Sequence, residues 1–166
     1  MLERLKSEIF IYPTDTIYGL GCDATNEKLV GKLRETKNRD YKPLSIIAPS
    51  VKWILKNFKV ERKLIEKYLP GPFTLLLEKK DVSFLPWISN TKLIGIRIPD
   101  CEFTNVIQNT GLPIVTTSVN ISGEPFATSL EDIDSEIKKK IDLVIPGENL
   151  SGIPSTLIKD GKEFKR

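Results

Sequence analysis

Thr156-Leu157-Ile158-Lys159-Asp160-Gly161-Lys162-Glu163-Phe164-Lys165-Arg166, the end of the chain, decides what kind of sheet it can build. A β-type run leads into Asp160-Gly161, and a second short run, 163–166, follows it. Asp-Gly tolerates the positive φ angles of a two-residue hairpin, so the two runs pair antiparallel. Upstream the signals interleave. Residues 141–145 and 113–117 read as strands flanking a helix over 130–140 that Ser129 caps. A helix over 102–109 precedes them, and 73–78 and 93–98 read as buried strands. In the latter, Ile94, Ile96 and Ile98 share one face, and Leu93, Gly95 and Arg97 the other. Earlier still, a third helix over 60–69 ends at Pro70-Gly71-Pro72. Before it, Ser50 caps a helix carrying Trp53, Ile54 and Phe58, and 44–47 is a strand. Asn26 caps a helix with Leu29, Val30 and Leu33 on one face, ending near Lys37, and 9–12 is a strand stopped by Pro13. Interleaved strands and helices with a hairpin tail specify an α/β fold with a mixed sheet, one domain over 1–166.

Composition narrows the chemistry. The chain has 166 residues, 40% hydrophobic and 28% charged, enough for one well-formed core. Its 25 basic and 22 acidic residues leave a net charge of +3, too little to argue for a nucleic-acid or membrane partner by itself. Histidine is absent, which removes imidazole bases, histidine triads and histidine zinc sites together. Cys22 and Cys101 stand apart with no C-x-x-C spacing, as free thiols of a reducing compartment do. The apolar patch at 9–12 is too short for a secretory segment, and no stretch approaches a membrane span, so a cytoplasmic protein is expected.

Polar residues at strand ends are the informative positions. Tyr12-Pro13-Thr14-Asp15-Thr16-Ile17-Tyr18-Gly19-Leu20-Gly21 offers hydroxyls, a carboxylate and glycines directly after a strand: a ligand loop, or a capped structural turn. Its Gly19-x-Gly21-x-x-Ala24 mimics a dinucleotide fingerprint, but Gly19 lies six residues past Pro13, not at the strand end. Lys37, Arg39 and Lys42 follow a helix, either as a solvated basic helix end or as a phosphate clamp. Arg97, mid-strand beside Gly95, needs an anion: a protein carboxylate or a substrate carboxylate. Thr116-Thr117-Ser118-Val119-Asn120-Ile121-Ser122-Gly123 closes a strand with small hydroxyls, as turns and ligand sites both do. Gly152-Ile153-Pro154-Ser155-Thr156 carries a weaker signal, and no P-loop pattern occurs.

Read in order, YPTDTIYGLG, KNR, KPLS, GPFTLLL, GIRIP, TTSVNISGEP, VIPGE and PSTL resemble the YrdC/TsaC family of threonylcarbamoyl-AMP synthases across more than nine-tenths of the chain. The resemblance implies a twisted, open sheet with a concave, positively lined cleft. It also implies a reaction: L-threonine, bicarbonate or CO2, and ATP give threonylcarbamoyl-AMP and pyrophosphate, on the way to the t6A37 modification of tRNA. Carried over residue by residue, Thr16, Arg97, Thr116 and Ser155 would hold threonine. Lys37, Arg39, Lys42, Ser118, Asn120 and Arg166 would hold ATP, with Lys37 and Arg39 also catalytic. Mg2+ would arrive with ATP, without metal ligands from the protein, and the product would pass to a tRNA threonylcarbamoyltransferase complex. The chain departs from the pattern at Lys42, where the loop is a residue short, at Ile47 in place of a histidine of longer members, and at Phe126 near ATP. The extra C-terminal domain of longer members is not expected.

That chemistry suits a histidine-free chain. Its obstacle is repulsion among a carboxylate, a carbamate and a triphosphate, which cations at Lys37, Arg39, Lys42 and Arg97 would offset. Asp15 is a candidate base, or a residue that orders neighbouring hydroxyls. Two other readings stand: a double-stranded RNA or tRNA binder without adenylylation, and the carbamoyl-transfer chemistry of related hydrogenase-maturation domains.

Overall fold

The computed structural model describes residues 1–38, 42–121 and 123–165. Its strands are β1 Phe10–Tyr12, β2 Gly19–Gly21, β3 Ser45–Ile47, β4 Phe58–Lys59, β5 Phe73–Lys79, β6 Leu93–Arg97, β7 Ile114–Ser118, β8 Leu143–Val144, β9 Thr156–Lys159 and β10 Lys162–Phe164. Its helices are α1 Leu2–Ser7, α2 Glu27–Thr36, α3 Val51–Asn57, α4 Arg62–Tyr68, α5 Glu102–Thr110 and α6 Ser135–Lys138. The strands run in the order β10-β9-β5-β6-β3-β7-β2-β1-β8, with β4 on β5. The sheet is mixed: β3–β6, β5–β9 and β1–β8 are parallel, and the other pairs are antiparallel. Asp160 and Gly161 take φ of 50° and 72°, and the hairpin they form closes the sheet edge as expected.

Register sorts the residues into two rows of opposite character. Ile158, Leu75, Ile96, Ile46 and Val115 face one another across β9, β5, β6, β3 and β7, and all are buried. Val30 and Leu33 of α2, Ile54 of α3 and Ile65 of α4 pack on this face in the larger core. One residue along, side chains turn to the other face. There Leu76, Gly95, Ser45 and Thr116 form the next row. The smaller core covers part of this second face: Leu5 of α1, Phe103 and Ile107 of α5, with Phe10, Tyr12, Ile47, Ile114 and Leu143. The uncovered part is a recess.

Four elements differ from the sequence reading. β2 is a strand where a loop was expected, although glycine is a poor strand former. A Cβ on Gly19 would lie 2.7 Å from Cζ of Tyr12, and one on Gly21 2.8 Å from Cε1 of the same ring. The buried Tyr12 ring therefore requires glycine at both positions. This places Gly19 and Gly21 inside an antiparallel strand, away from any strand-to-helix phosphate turn, and removes the dinucleotide reading. The helix expected over 130–140 shrinks to α6, and Asp134 rather than Ser129 caps it, accepting from the amides of Glu136 and Ile137. Asp132 instead ties Thr128 and Ser129 into a turn that keeps them out of the helix. α1 had no counterpart in the reading, and Phe58, expected on the helix that Ser50 caps, lies past its end and opens β4. Asn26 and Ser50 do cap α2 and α3, accepting from Leu29 and Trp53 amides.

Candidate functional site

The recess encloses about 150 Å³ and is walled mainly by hydroxyls from five neighbouring strands and the loops at their ends. All four residues expected to hold threonine line it: Thr16 from the loop before β2, Arg97 from β6, Thr116 from β7, and Ser155 just before β9. Thr14, Ser45, Thr74 and Ser118 add further hydroxyls, and Phe126, Ile17 and Pro154 give apolar wall. Gly95 sits beneath them because nothing larger fits: a Cβ there would approach Ser45 Oγ to 2.5 Å and Thr74 Cγ2 to 3.0 Å.

Arg97 is the lining cation among the described residues. Its Nη2 donates to Asp15 Oδ1 at 2.6 Å, with side-chain exposures of 7% and 10%, and lies 3.5 Å from Thr16 Oγ1. Asp15 Oδ2 accepts the Asp100 amide at 2.9 Å. The two anions considered for Arg97 are therefore not exclusive: a protein carboxylate neutralises it from behind, while the residue still faces the recess. Its Nε is buried without a partner among the described residues. Asp15 itself does not line the recess, which leaves it poorly placed as a base. Thr16 is ordered by Thr14 instead, whose hydroxyl lies 3.0 Å from that of Thr16 and donates to the Ile17 carbonyl at 2.7 Å.

Lys37 overturns the solvated-helix-end reading. It closes α2 yet is 1% exposed, because its Nζ donates to the Ser118 carbonyl and lies 3.4 Å from both Ser118 Oγ and Asn120 Oδ1. Ser118 Oγ donates to Asn120 Oδ1, and Asn120 Nδ2 donates to the Glu124 carbonyl at 2.5 Å. A charge taken out of water needs such oxygens around it. Ser118 is thus shared, with its side chain on the recess and Lys37 behind it. Lys42 is exposed and off the recess wall; its carbonyl accepts from Arg34 Nη1 at 2.7 Å, and Pro43, Leu44 and Ser45 after it do line the wall. Arg39 and Arg166 lie outside the described residues.

Ser45 and Thr74 were missed as site residues. Thr74 Oγ1 lies 2.7 Å from Ser155 Oγ and is buried. The available signal was alternation: each sits one residue before an isoleucine or leucine of the core row, on the polar side of its strand. Ile47, by contrast, belongs to the smaller core, not to the wall.

Comparison with known proteins decides the lineage. The family model of Sua5, YciO and YrdC, described as telomere recombination, matches residues 4–165. The chain belongs to the Sua5/YciO/YrdC family. Within that family, a Methanocaldococcus jannaschii protein provisionally named threonylcarbamoyl-AMP synthase is 42% identical over 162 residues, spanning 95% of this chain and 76% of its own length. The Vibrio campbellii threonylcarbamoyl-AMP synthase is 28% identical over 98% of this chain and 92% of itself. Pyrococcus abyssi Sua5, solved in complex with L-threonine, superposes with a TM-score of 0.81 at 31% identity over 91% of this chain. The chain spans about half that protein's length (46%).

Proposed function

We propose that this chain is a threonylcarbamoyl-AMP synthase, acting on L-threonine, bicarbonate or CO2, and ATP. One observation carries the reading: Thr16, Arg97, Thr116 and Ser155 meet on one recess, and Ser118 joins that recess to Lys37 and Asn120. Arg97 takes the threonine carboxylate, and the hydroxyls of Thr16, Thr116 and Ser155 orient the rest of the molecule. The nucleotide lies along the Lys37–Ser118–Asn120 side, where Ser118 lines the recess and the buried Lys37 ammonium behind it adds positive charge toward the phosphates. By the family resemblance, Lys42, Arg39 and Arg166 would supply further positive charge toward the phosphates.

In this scheme the threonine nitrogen first bonds to the carbon of CO2 and sheds a proton, or attacks bicarbonate with loss of water, to give the carbamate. A carbamate oxygen then attacks the α-phosphorus of ATP; the new O–P bond forms as the bond to the bridging oxygen breaks, and pyrophosphate leaves. Holding the anions in line and offsetting the charge on the phosphoryl oxygens is the catalytic work. No Asp, Glu or Cys lines the recess among the described residues, and Tyr18, whose phenol burial pushes up, donates to the Glu148 carbonyl. The amine proton therefore goes to bicarbonate or water. Mg2+ would enter with ATP and offset charge on its phosphates. The mixed anhydride then passes to an enzyme that transfers its threonylcarbamoyl group to tRNA and releases AMP.

The test supplies threonine, bicarbonate, Mg2+ and ATP to the purified chain. Threonine-dependent pyrophosphate release, with the mixed anhydride seen by mass spectrometry, supports the synthase. RNA binding that weakens steeply with salt and ignores threonine, without pyrophosphate, would point to a binding module instead.

A further inference from the structure

We infer that Asp15 is a positioning residue: it holds the Arg97 guanidinium in its binding pose before any substrate arrives. This rests on the reading of the recess as the threonine pocket. Arginine carries five N–H donors on a planar fork, so one edge can be fixed while another binds. Asp15 Oδ1 takes Nη2 at 2.6 Å, and Asp15 Oδ2 is fixed in turn by the Asp100 amide at 2.9 Å. The carboxylate thus ties the loop carrying Thr14 and Thr16 to the turn between β6 and α5.

The arrangement has three consequences. Asp15 balances the guanidinium charge, so a nearly buried arginine persists without an external anion. Its own oxygens are both engaged and it stands off the recess wall, so it touches Arg97 and not the substrate. Nε, buried and without a partner among the described residues, shows a guanidinium whose hydrogen bonding the protein leaves incomplete. A donor frozen in place costs less ordering when its ligand binds. Without Asp15, Arg97 is free to leave the recess, and Thr16 Oγ1 loses the Nη2 donor at 3.5 Å while Thr14 still holds it. Lys37, Ser118 and Asn120 are held by their own bonds and are unaffected.

The experiment is steady-state kinetics of Asp15→Asn beside the wild type, with pyrophosphate as readout. The threonine KM rises on the order of tenfold or more while the ATP KM stays within about twofold, the split expected of lost preorganisation on one substrate. In an Arg97→Ala background, Asp15→Asn adds less than about twofold, because the residues act as one unit. A threonine KM unchanged by Asp15→Asn, an equal rise for ATP, or multiplying effects of the two substitutions would overturn the inference. Inactive wild-type protein would instead sink the synthase reading. Should Asp15→Asn fail to fold, a structure of the wild type with L-threonine decides. Asp15 must remain on Nη2 while threonine takes the other donors, and an Arg97 that has left Asp15 contradicts the proposal.

Discussion

The row Ile158–Leu75–Ile96–Ile46–Val115 and the row Leu76–Gly95–Ser45–Thr116 run one residue apart across β5, β6, β3 and β7, yet one is core and the other gives Ser45 and Thr116 to the recess wall. The first is closed on its side by α2, α3 and α4, and its residues contribute through burial alone. The second is covered by α1 and α5 over only part of its length, and where the cover stops the sequence changes to hydroxyls, a glycine and an arginine. Stability and chemistry are thereby carried by alternate residues of the same strands. Substitutions on one row should move the melting point, and substitutions on the other should move substrate use.

Arg97→Ala strains that division most, because it belongs to both accounts. It leaves Asp15 buried without its cation, an effect of about 3–5 kcal/mol on unfolding in denaturant. It should also raise the threonine KM more than the ATP KM; the opposite order would mean that the two pockets are interchanged. Ile96→Ala, on the core row, should cost about 2–5 kcal/mol in the same unfolding measurement. At a temperature where it is folded, its threonine KM should match the wild type. Gly95→Ala should show the reverse, with about 1–3 kcal/mol lost to crowding of Ser45 and Thr74 but a clear loss of threonine use. A Gly95→Ala protein that melts lower and turns over normally would break the comparison. Asn26→Ala, remote from both rows, should cost about 1 kcal/mol through its lost cap and leave kinetics unchanged.

The smallest effect is one of pH. Burial pushes the Cys22 thiol up from its ordinary 9.0 and the Tyr12 phenol up from 10.0. The unfolded chain releases these protons first as pH rises, so it binds fewer protons than the folded one above pH 9.0. The melting temperature should therefore fall as the solution is taken from about pH 8 to about pH 10, and Cys22→Ala should flatten part of that slope. A slope that Cys22→Ala leaves unaltered would place the alkaline loss elsewhere.

Much of this was legible in the residues. Isoleucines at alternate positions of 93–98 placed Arg97 opposite the core, Asp160-Gly161 fixed the tail hairpin, and Asn26 and Ser50 marked helix starts. Motif order brought Thr16, Arg97, Thr116 and Ser155 together in expectation, and they share a recess. The strand β2 was not legible, because its glycines answer to Tyr12, a residue on the neighbouring strand, rather than to local preference. Ser129 looked like a cap only because the competing bond from its amide to Asp132 is a matter of geometry. Lys37 left two readings open from its own segment, a solvated helix end or a phosphate clamp, because nothing local shows that the S-x-N pair folds back over it. Each failure concerns a contact between residues remote in sequence or a choice among near-equal hydrogen bonds.

The central claim is that two adjoining subsites, one built on Arg97 and one on Ser118, hold the two large substrates. A crystal structure of the chain with L-threonine and a non-hydrolysable Mg–ATP analogue tests it most directly. The account predicts the threonine carboxylate on Arg97, with Thr116 and Ser155 in contact, and phosphates beside Lys37, Ser118 and Asn120. Threonine seated outside the recess, or phosphates seated on Arg97 with Lys37 untouched, would contradict it.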